Sequence, residues 1–269
     1  MRFKLILRPL RERQRLLFNY QYPLQAWLYK ILSHADEAYA HFLHQQGYGL
    51  ADGLKTFKHF TFSSLVIPKT EPIQKGDDCM VIRSETISLT VSFYVEEAAE
   101  RFVVGLFQDQ RLSIYNPTYQ ADFIVERVES LPPISIRQSM IFQTISPMVV
   151  AEKEARKDNY LAPTDEAFSA FFALNLLDKY RSVYPEQLPQ MDAQTASKLI
   201  RFSLLSAPEH LKMRGFTIKE GKSTTQTKVI GYLNFKFSVE APPPIIEVGY
   251  YSGFGRYNAM GCGCVEVVP

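Results

Sequence analysis

Cysteine is scarce: Cys79, Cys262 and Cys264 are the only three in 269 residues. Cys-x-Cys has poor disulfide geometry, and no Cys/His set has zinc spacing, so neither a disulfide scaffold nor a zinc module is encoded. No apolar run approaches the ~20 residues of a membrane span. The chain opens Met-Arg-Phe-Lys-Leu-Ile-Leu, which alternates as a strand rather than forming a signal-peptide core. A reduced, cytoplasmic protein without membrane contact is expected. Gly-Lys-Ser/Thr of a P-loop and His-Glu-x-x-His of a metalloprotease are missing. Disorder is excluded too: only 22% of residues are charged, while 46% are hydrophobic and 13% aromatic, enough for a large core.

Net charge is only +2, but the charge is segregated. Residues 1–15 hold Arg2, Lys4, Arg8, Arg11, Arg13 and Arg15 against Glu12 alone, a local +5. Residues 198–236 hold eight basic residues, among them Lys212, Arg214, Lys219, Lys222 and Lys228, against Glu209 and Glu220, a local +6. Such segregation can build a basic face on a near-neutral protein.

Glycine is concentrated near the end of the chain. Five of the thirteen glycines lie between Gly249 and Gly263, four of them in the run Gly253-Phe-Gly255-Arg256-Tyr-Asn258-Ala-Met-Gly261-Cys-Gly263. Glycine reaches positive φ cheaply, and loops built this way can present bare N–H groups to an anion. The flanking runs Ile245-Ile246-Glu247-Val248 and Val265-Glu266-Val267-Val268 read as strands, which gives strand, phosphate cradle, strand. The spacing does not fit a dinucleotide fingerprint, whose third glycine opens a helix. The alternative is a glycine-rich hairpin with only a folding role.

Periodicity orders the rest. Residues 2–8 alternate as a strand, and 22–47 carry apolar residues at three- and four-residue steps, ending at Gly47. Strands are expected at 57–67, 86–95 and 122–128, with a helix over 95–106. That is the strand, helix, two strands, helix, strand order of a ferredoxin-like unit. After Leu131-Pro132-Pro133 a second round is expected, with strands at 141–150 and 229–239 and a helix at 165–180. The expected fold is α+β, two tandem ferredoxin-like (RRM-like, βαββαβ) domains at 1–130 and 131–269.

The glycine run resembles the C-terminal G-loop of the CRISPR-associated repeat-RNA endoribonucleases, the Cas-six family. That loop reads Gly-Phe-Gly, two residues, then Asn-Ser-Met-Gly-Phe-Gly; Ala259 and Cys262 depart from it. Other segments agree in order: Leu24-Gln25 to Leu28-Tyr29, Phe42-Leu43-His44, Phe57 to Ser63, and Thr144 to Val150. The resemblance implies metal-independent cleavage of CRISPR repeat RNA (pre-crRNA) within the repeat. The 2′-hydroxyl would attack, leaving a 2′,3′-cyclic phosphate and a 5′-hydroxyl, with no cofactor and no metal. A non-catalytic RNA-binding subunit of the same fold is the alternative, and a metabolite-binding ferredoxin-like protein the third reading. Other effector-complex subunits are candidate partners, and a monomer or homodimer is expected.

Such chemistry needs a proton donor for the departing 5′-oxygen and a cation for the phosphorane. His44 fits the first: it lies off the apolar stripe, in a last helical turn where the dipole favours a cation, and the resemblance points to it as well. The resemblance assigns Tyr29 to the 2′-hydroxyl, as base or, more safely, as orienting group. It assigns Lys58 to charge stabilisation, with Lys55 as competitor. Fifteen residues of straight helix would hold Tyr29 and His44 ~22 Å apart. The helix must therefore break, and Ser33-His34-Ala35-Asp36 has capping-box form, which predicts helices over 22–32 and 34–46. His41 and His44 stand at chelating spacing but no carboxylate set completes a metal site. For RNA contacts the candidates are Gly253, Gly255, Arg256, Gly261 and Gly263, followed by Lys212, Arg214, Lys219, Lys222 and Lys228.

Overall fold

The computed structural model describes residues 1–268, apart from 51, 52, 54, 155, 156 and 220–225. The alternation Phe3, Leu5, Leu7 buries one face of strand Arg2–Pro9, which sits at the centre of a five-stranded antiparallel sheet. The order is Phe60–Phe62, Ile87–Phe93, Arg2–Pro9, Gln120–Ser130, Arg111–Tyr115. Helices α1 (Gln21–Ala35), α2 (Glu37–Gln45) and α3 (Glu96–Gln108) follow in chain order, and apolar residues of all three join the sheet's core. The edge strand Arg111–Tyr115 is an addition to the expected unit.

A second antiparallel sheet runs Arg201–Leu204, Lys236–Glu240, Ser139–Thr144, Val265–Val267. It is covered by α4 (Phe168–Val183), α5 (Ala193–Leu199) and α6 (Pro243–Ser252). Leaving aside the added edge strand, both sheets have the unit's second, third, first and fourth strands side by side. This is the ferredoxin-like arrangement twice over.

Four expected strands come out differently. Residues 141–150 shorten to Ser139–Thr144: Ile145 and Ser146 both donate to the Cys264 carbonyl, Pro147 has no N–H to continue a ladder, and Val150 opens a separate hairpin, Val150–Glu154/Lys157–Leu161. The run Ile245-Ile246-Glu247-Val248 is helix α6, not strand. Pro243 and Pro244 preset φ for the first turn, and Ile245, Val248, Gly249 and Ser252 bury one side at helical spacing. The β-branched residues are outweighed by tertiary packing. Residues 229–239 form two strands, split where Asn234 takes φ 65°. Residues 57–67 shrink to Phe60–Phe62, because His59 takes φ 52°. Lys58 thus lies in an irregular turn rather than in an alternating strand.

Polar contacts fasten the two lobes. Arg2 donates to the Val265 carbonyl at 2.7 Å, Ser92 to Tyr251 at 2.8 Å, and Thr61 to Cys262 at 2.9 Å. The glycine run is itself part of the second core: Phe254 is fully buried, with ring centroids 5.2 Å from Phe142 and 5.6 Å from Phe172 and Phe237. Phe254→Ala is expected to cost about 3–5 kcal/mol, read from the urea midpoint. A loss below about 1 kcal/mol would mean that the loop is not held by this ring.

Candidate active site

A cleft of about 730 Å³ opens between the lobes. Tyr29, His44 and Lys58 lie on its first-lobe wall, and Arg256, Tyr257 and Asn258 of the glycine run on the other. Among the described lining residues the basic ones are Lys55, Lys58, Lys153, Lys179 and Arg256, and Glu152 is the one acid.

The helix break that joins Tyr29 to His44 falls at Asp36, three residues later than expected. Asp36 leaves the helical region at φ −158° and ψ 102°. Its Oδ1 accepts from Tyr39 N at 2.8 Å, capping α2, while Oδ2 accepts from Arg101 Nε at 2.9 Å. The cap bond and the Arg101 partner hold its carboxyl below the usual range. Folded back in this way, α2 puts the His44 ring edge-on to Tyr29, with centroids 4.9 Å apart. Tyr29 also meets Phe60 edge-on at 5.6 Å. Burial pushes its phenol well above the ordinary tyrosine range, a bond with Gln25 opposing. The ring therefore stays protonated at neutral pH, which favours orientation over base chemistry.

His44 is exposed, and its Nδ1 lies 3.2 Å from Gln45 Nε2. Lys58 donates to the His44 carbonyl at 3.0 Å, and partial burial pushes its ammonium below the free-lysine value. Gly47 makes this approach possible. At φ 66° it closes α2, and a Cβ there would stand 2.6 Å from the Phe57 carbonyl and 2.9 Å from Lys58 Cδ. Lys55, the competitor, is paired with the buried Asp178 at 2.6 Å.

The glycine run is not a cradle of bare amides. Gly253, Gly255, Gly261 and Gly263 are all buried, and the N–H groups of Gly261 and Gly263 donate to Asn258 and Pro147. These glycines permit close approach instead; a Cβ on Gly263 would overlap the Phe254 backbone. The loop offers side chains to the cleft. Arg256 pairs with Asp158 at 2.9 Å, and Asn258 Nδ2 braces the carbonyls of Phe254 and Cys262.

Lys212, Arg214 and Lys228 lie on the hairpin Lys212–Lys219/Gln226–Leu233, outside the described cleft lining; Lys219 ends the first strand of that hairpin, and Lys222 falls outside the described residues. Arg214 is committed to the first lobe, donating to Phe18 O at 2.8 Å, whereas Lys212 and Lys228 are exposed. Phe216 and Val229 of the hairpin pack with Met260 and Cys262 of the glycine run.

Two residues of the cleft carry no sequence expectation of a role. Lys179 is 1% exposed and donates to the carbonyls of Gly253 and Gly255 at 2.5 and 2.6 Å. Its signal was available: Phe168, Phe172, Leu176 and Lys179 follow one buried helical stripe. His59 is 2% exposed with both ring nitrogens bonded. Among the described residues no three His, Cys, Asp or Glu side chains cluster as a metal site, and no helix is long and apolar enough to cross a membrane.

Two α+β lobes facing each other across a basic cleft define the class, and comparison with known proteins gives the family. The Cas6 C-terminal family model matches residues 129–267 and the Cas6 N-terminal model residues 15–129. The chain belongs to the Cas6 family of CRISPR-associated proteins. It is 28% identical over 256 residues to "CRISPR-associated endoribonuclease Cas6 1" of Methanocaldococcus jannaschii, covering 92% of this chain and 85% of that one. It is 26% identical to a "putative CRISPR-associated endoribonuclease-like protein Cas6" of Pyrococcus furiosus, over 100% of this chain and 99% of that one. Among solved structures, a Cas6-related protein from Pyrococcus furiosus superposes with a TM-score of 0.79 at 25% identity, over 100% of this chain and 98% of that one.

Asp36→Ala should lower the thermal midpoint at neutral pH by loosening the break between α1 and α2. A carboxyl with a depressed native pKa stabilises above its unfolded pKa and stops doing so as pH falls through the native one. The gap from wild type should thus begin to close below about pH 4. A gap independent of pH would show that the charge on Asp36 is not what holds the break.

Proposed function

We propose that this protein is a metal-independent endoribonuclease that cuts CRISPR repeat RNA within the repeat to release guide RNAs. One observation carries the reading: Tyr29, His44 and Lys58 share one wall of a basic cleft, with the His44 ring on Tyr29 and the Lys58 ammonium on the His44 carbonyl. The RNA backbone lies along the cleft, and the Tyr29 phenol orients the 2′-hydroxyl. The 2′-oxygen forms a bond to phosphorus as its proton leaves to water. Lys58 stabilises the charge on the phosphorane. The bond to the 5′-oxygen breaks as the exposed His44 protonates it, leaving a 2′,3′-cyclic phosphate and a 5′-hydroxyl. Arg256, Tyr257 and Asn258 contact the strand from the opposite wall. The buried glycines serve by placing those side chains, and Lys212 and Lys228 extend the track along the hairpin.

In EDTA the protein should cut a repeat RNA but not its 2′-deoxy analogue at the scissile nucleotide. His44→Ala should lower the single-turnover rate by roughly 10²–10⁴ with little change in affinity. Cleavage of the deoxy analogue, or undiminished cutting by the variant, refutes the assignment. Lys58→Ala should lower the single-turnover rate by roughly 10²–10³, the scale of losing one charge-stabilising donor, and Lys58→Arg, which keeps the charge, should retain most of the rate. Equal losses in the two variants would show that the charge at position 58 does not stabilise the phosphorane.

A further inference from the structure

Residues 58, 59 and 60 reach three different places. Lys58 goes to His44, Phe60 to Tyr29, and His59 between them crosses to the other lobe. His59 pairs a left-handed backbone at φ 52° with a ring only 2% exposed. Non-glycine residues occupy that region at a cost, and persist there when surrounding contacts over-determine them. Here those contacts are two serines of the second lobe. Nδ1 lies 2.9 Å from Ser252 Oγ, at the end of α6, and Nε2 lies 2.8 Å from Ser182 Oγ on α4.

The protons can be counted. Ser182 donates its hydroxyl hydrogen to the Lys179 carbonyl at 2.7 Å, so its oxygen accepts from His59, and Nε2 carries the ring proton. In a neutral ring Nδ1 then accepts from Ser252. Burial, with the neighbouring Lys179 adding to it, pushes the imidazole down to about 3. The same turn of α4 supplies Lys179, whose Nζ bonds the carbonyls of Gly253 and Gly255. One short stretch of α4 thus grips both the glycine run and, through Ser182, the segment that carries Lys58.

We propose that His59 is a positioning residue, a neutral cross-lobe pin that fixes Lys58 and Phe60, and through them His44 and Tyr29, in register with the glycine loop. It transfers no proton, since both ring nitrogens are committed and turned from solvent. The proposal rests on the nuclease reading for its kinetic test but has a readout of its own.

Two variants separate backbone from ring. His59→Gly keeps a permissive left-handed φ and loses the pin, while Ser182→Ala/Ser252→Ala keeps the ring and removes its anchors. Each should lower the single-turnover rate by roughly ten- to a hundredfold, the scale expected of small misplacements. Affinity for uncleavable 2′-deoxy RNA should stay within about threefold. All three changes together should lose no more than His59→Gly alone, as expected of groups acting as one unit. A wild-type rate in either variant, additive losses, or a loss of affinity matching the loss of rate overturns the proposal.

The independent readout is ¹⁵N NMR of the full chain's histidine rings and lysine amino groups. His59 should keep its Nε2–H signature across roughly pH 5–8, and Ser252→Ala should move the Lys58 and His44 signals. A His59 that titrates in that range, or unmoved Lys58 and His44 signals, sinks the pin. If the wild type fails to cleave while these signals behave as expected, the pin stands and the nuclease reading falls.

Discussion

The cleft depends on how a buried amine finds acceptors. Lys179 sits on the apolar stripe of α4, almost without solvent, where an unpartnered amine would be costly. Two carbonyls of the glycine run, Gly253 and Gly255, answer it. Charged or neutral, the amine can donate to both, so the arrangement does not require a particular protonation state. To bring these carbonyls inward the loop must turn through positive φ, as Gly253, Gly255, Gly261 and Gly263 do. Residues 256–260 then line the cleft, while Phe254 and Cys262 turn inward. Burial of one lysine thus shapes the whole wall opposite Tyr29, His44 and Lys58.

This inverts the usual reading of a glycine-rich loop. Bare amides would invite an anion directly, but here the carbonyls point into the protein and at least two of the amides are spent within the chain. Arg256 reaches the cleft already paired with Asp158. A strand of phosphates would meet a surface whose charges are partly matched, so binding there draws on side-chain hydrogen bonds and stacking on Tyr257 as well as on net charge. The exposed Lys212 and Lys228 on the neighbouring hairpin are less encumbered.

Much of this was legible in the sequence. The 3.6-residue period gave α1 and α2, and a distance argument showed that they could not be one straight helix. The break fell at Asp36 rather than Ser33, since both can cap and only the Arg101 contact, 65 residues away, decides between them. The first helix of each lobe and most central strands followed from periodicity. Helix α6 did not, because Ile-Ile-Glu-Val has no local property that distinguishes a strand from a short buried helix. What selects the helix is the need of the second sheet for a covering element. The turn at His59 was hidden for a similar reason: Phe57 to Phe62 alternates well, and the contacts that break it come from Ser182 and Ser252, far along the chain.

His44 and His59 show how environment, not residue type, divides labour in one cleft. His44 ends a short helix and is exposed, with its carbonyl taken by Lys58, so its ring stands open to solvent and, on the nuclease reading proposed above, to a bound strand. His59, fifteen residues on, is enclosed by Tyr48 and Tyr94 and bonded at both nitrogens. Charging it would place a cation beside Lys179 in a buried setting, which the fold resists. On that reading a mobile proton and a fixed geometry are opposite demands, and two histidines of one lobe meet them separately. Phe60 and Lys58 join them, so that whatever holds His59 still also holds the ground on which His44 works.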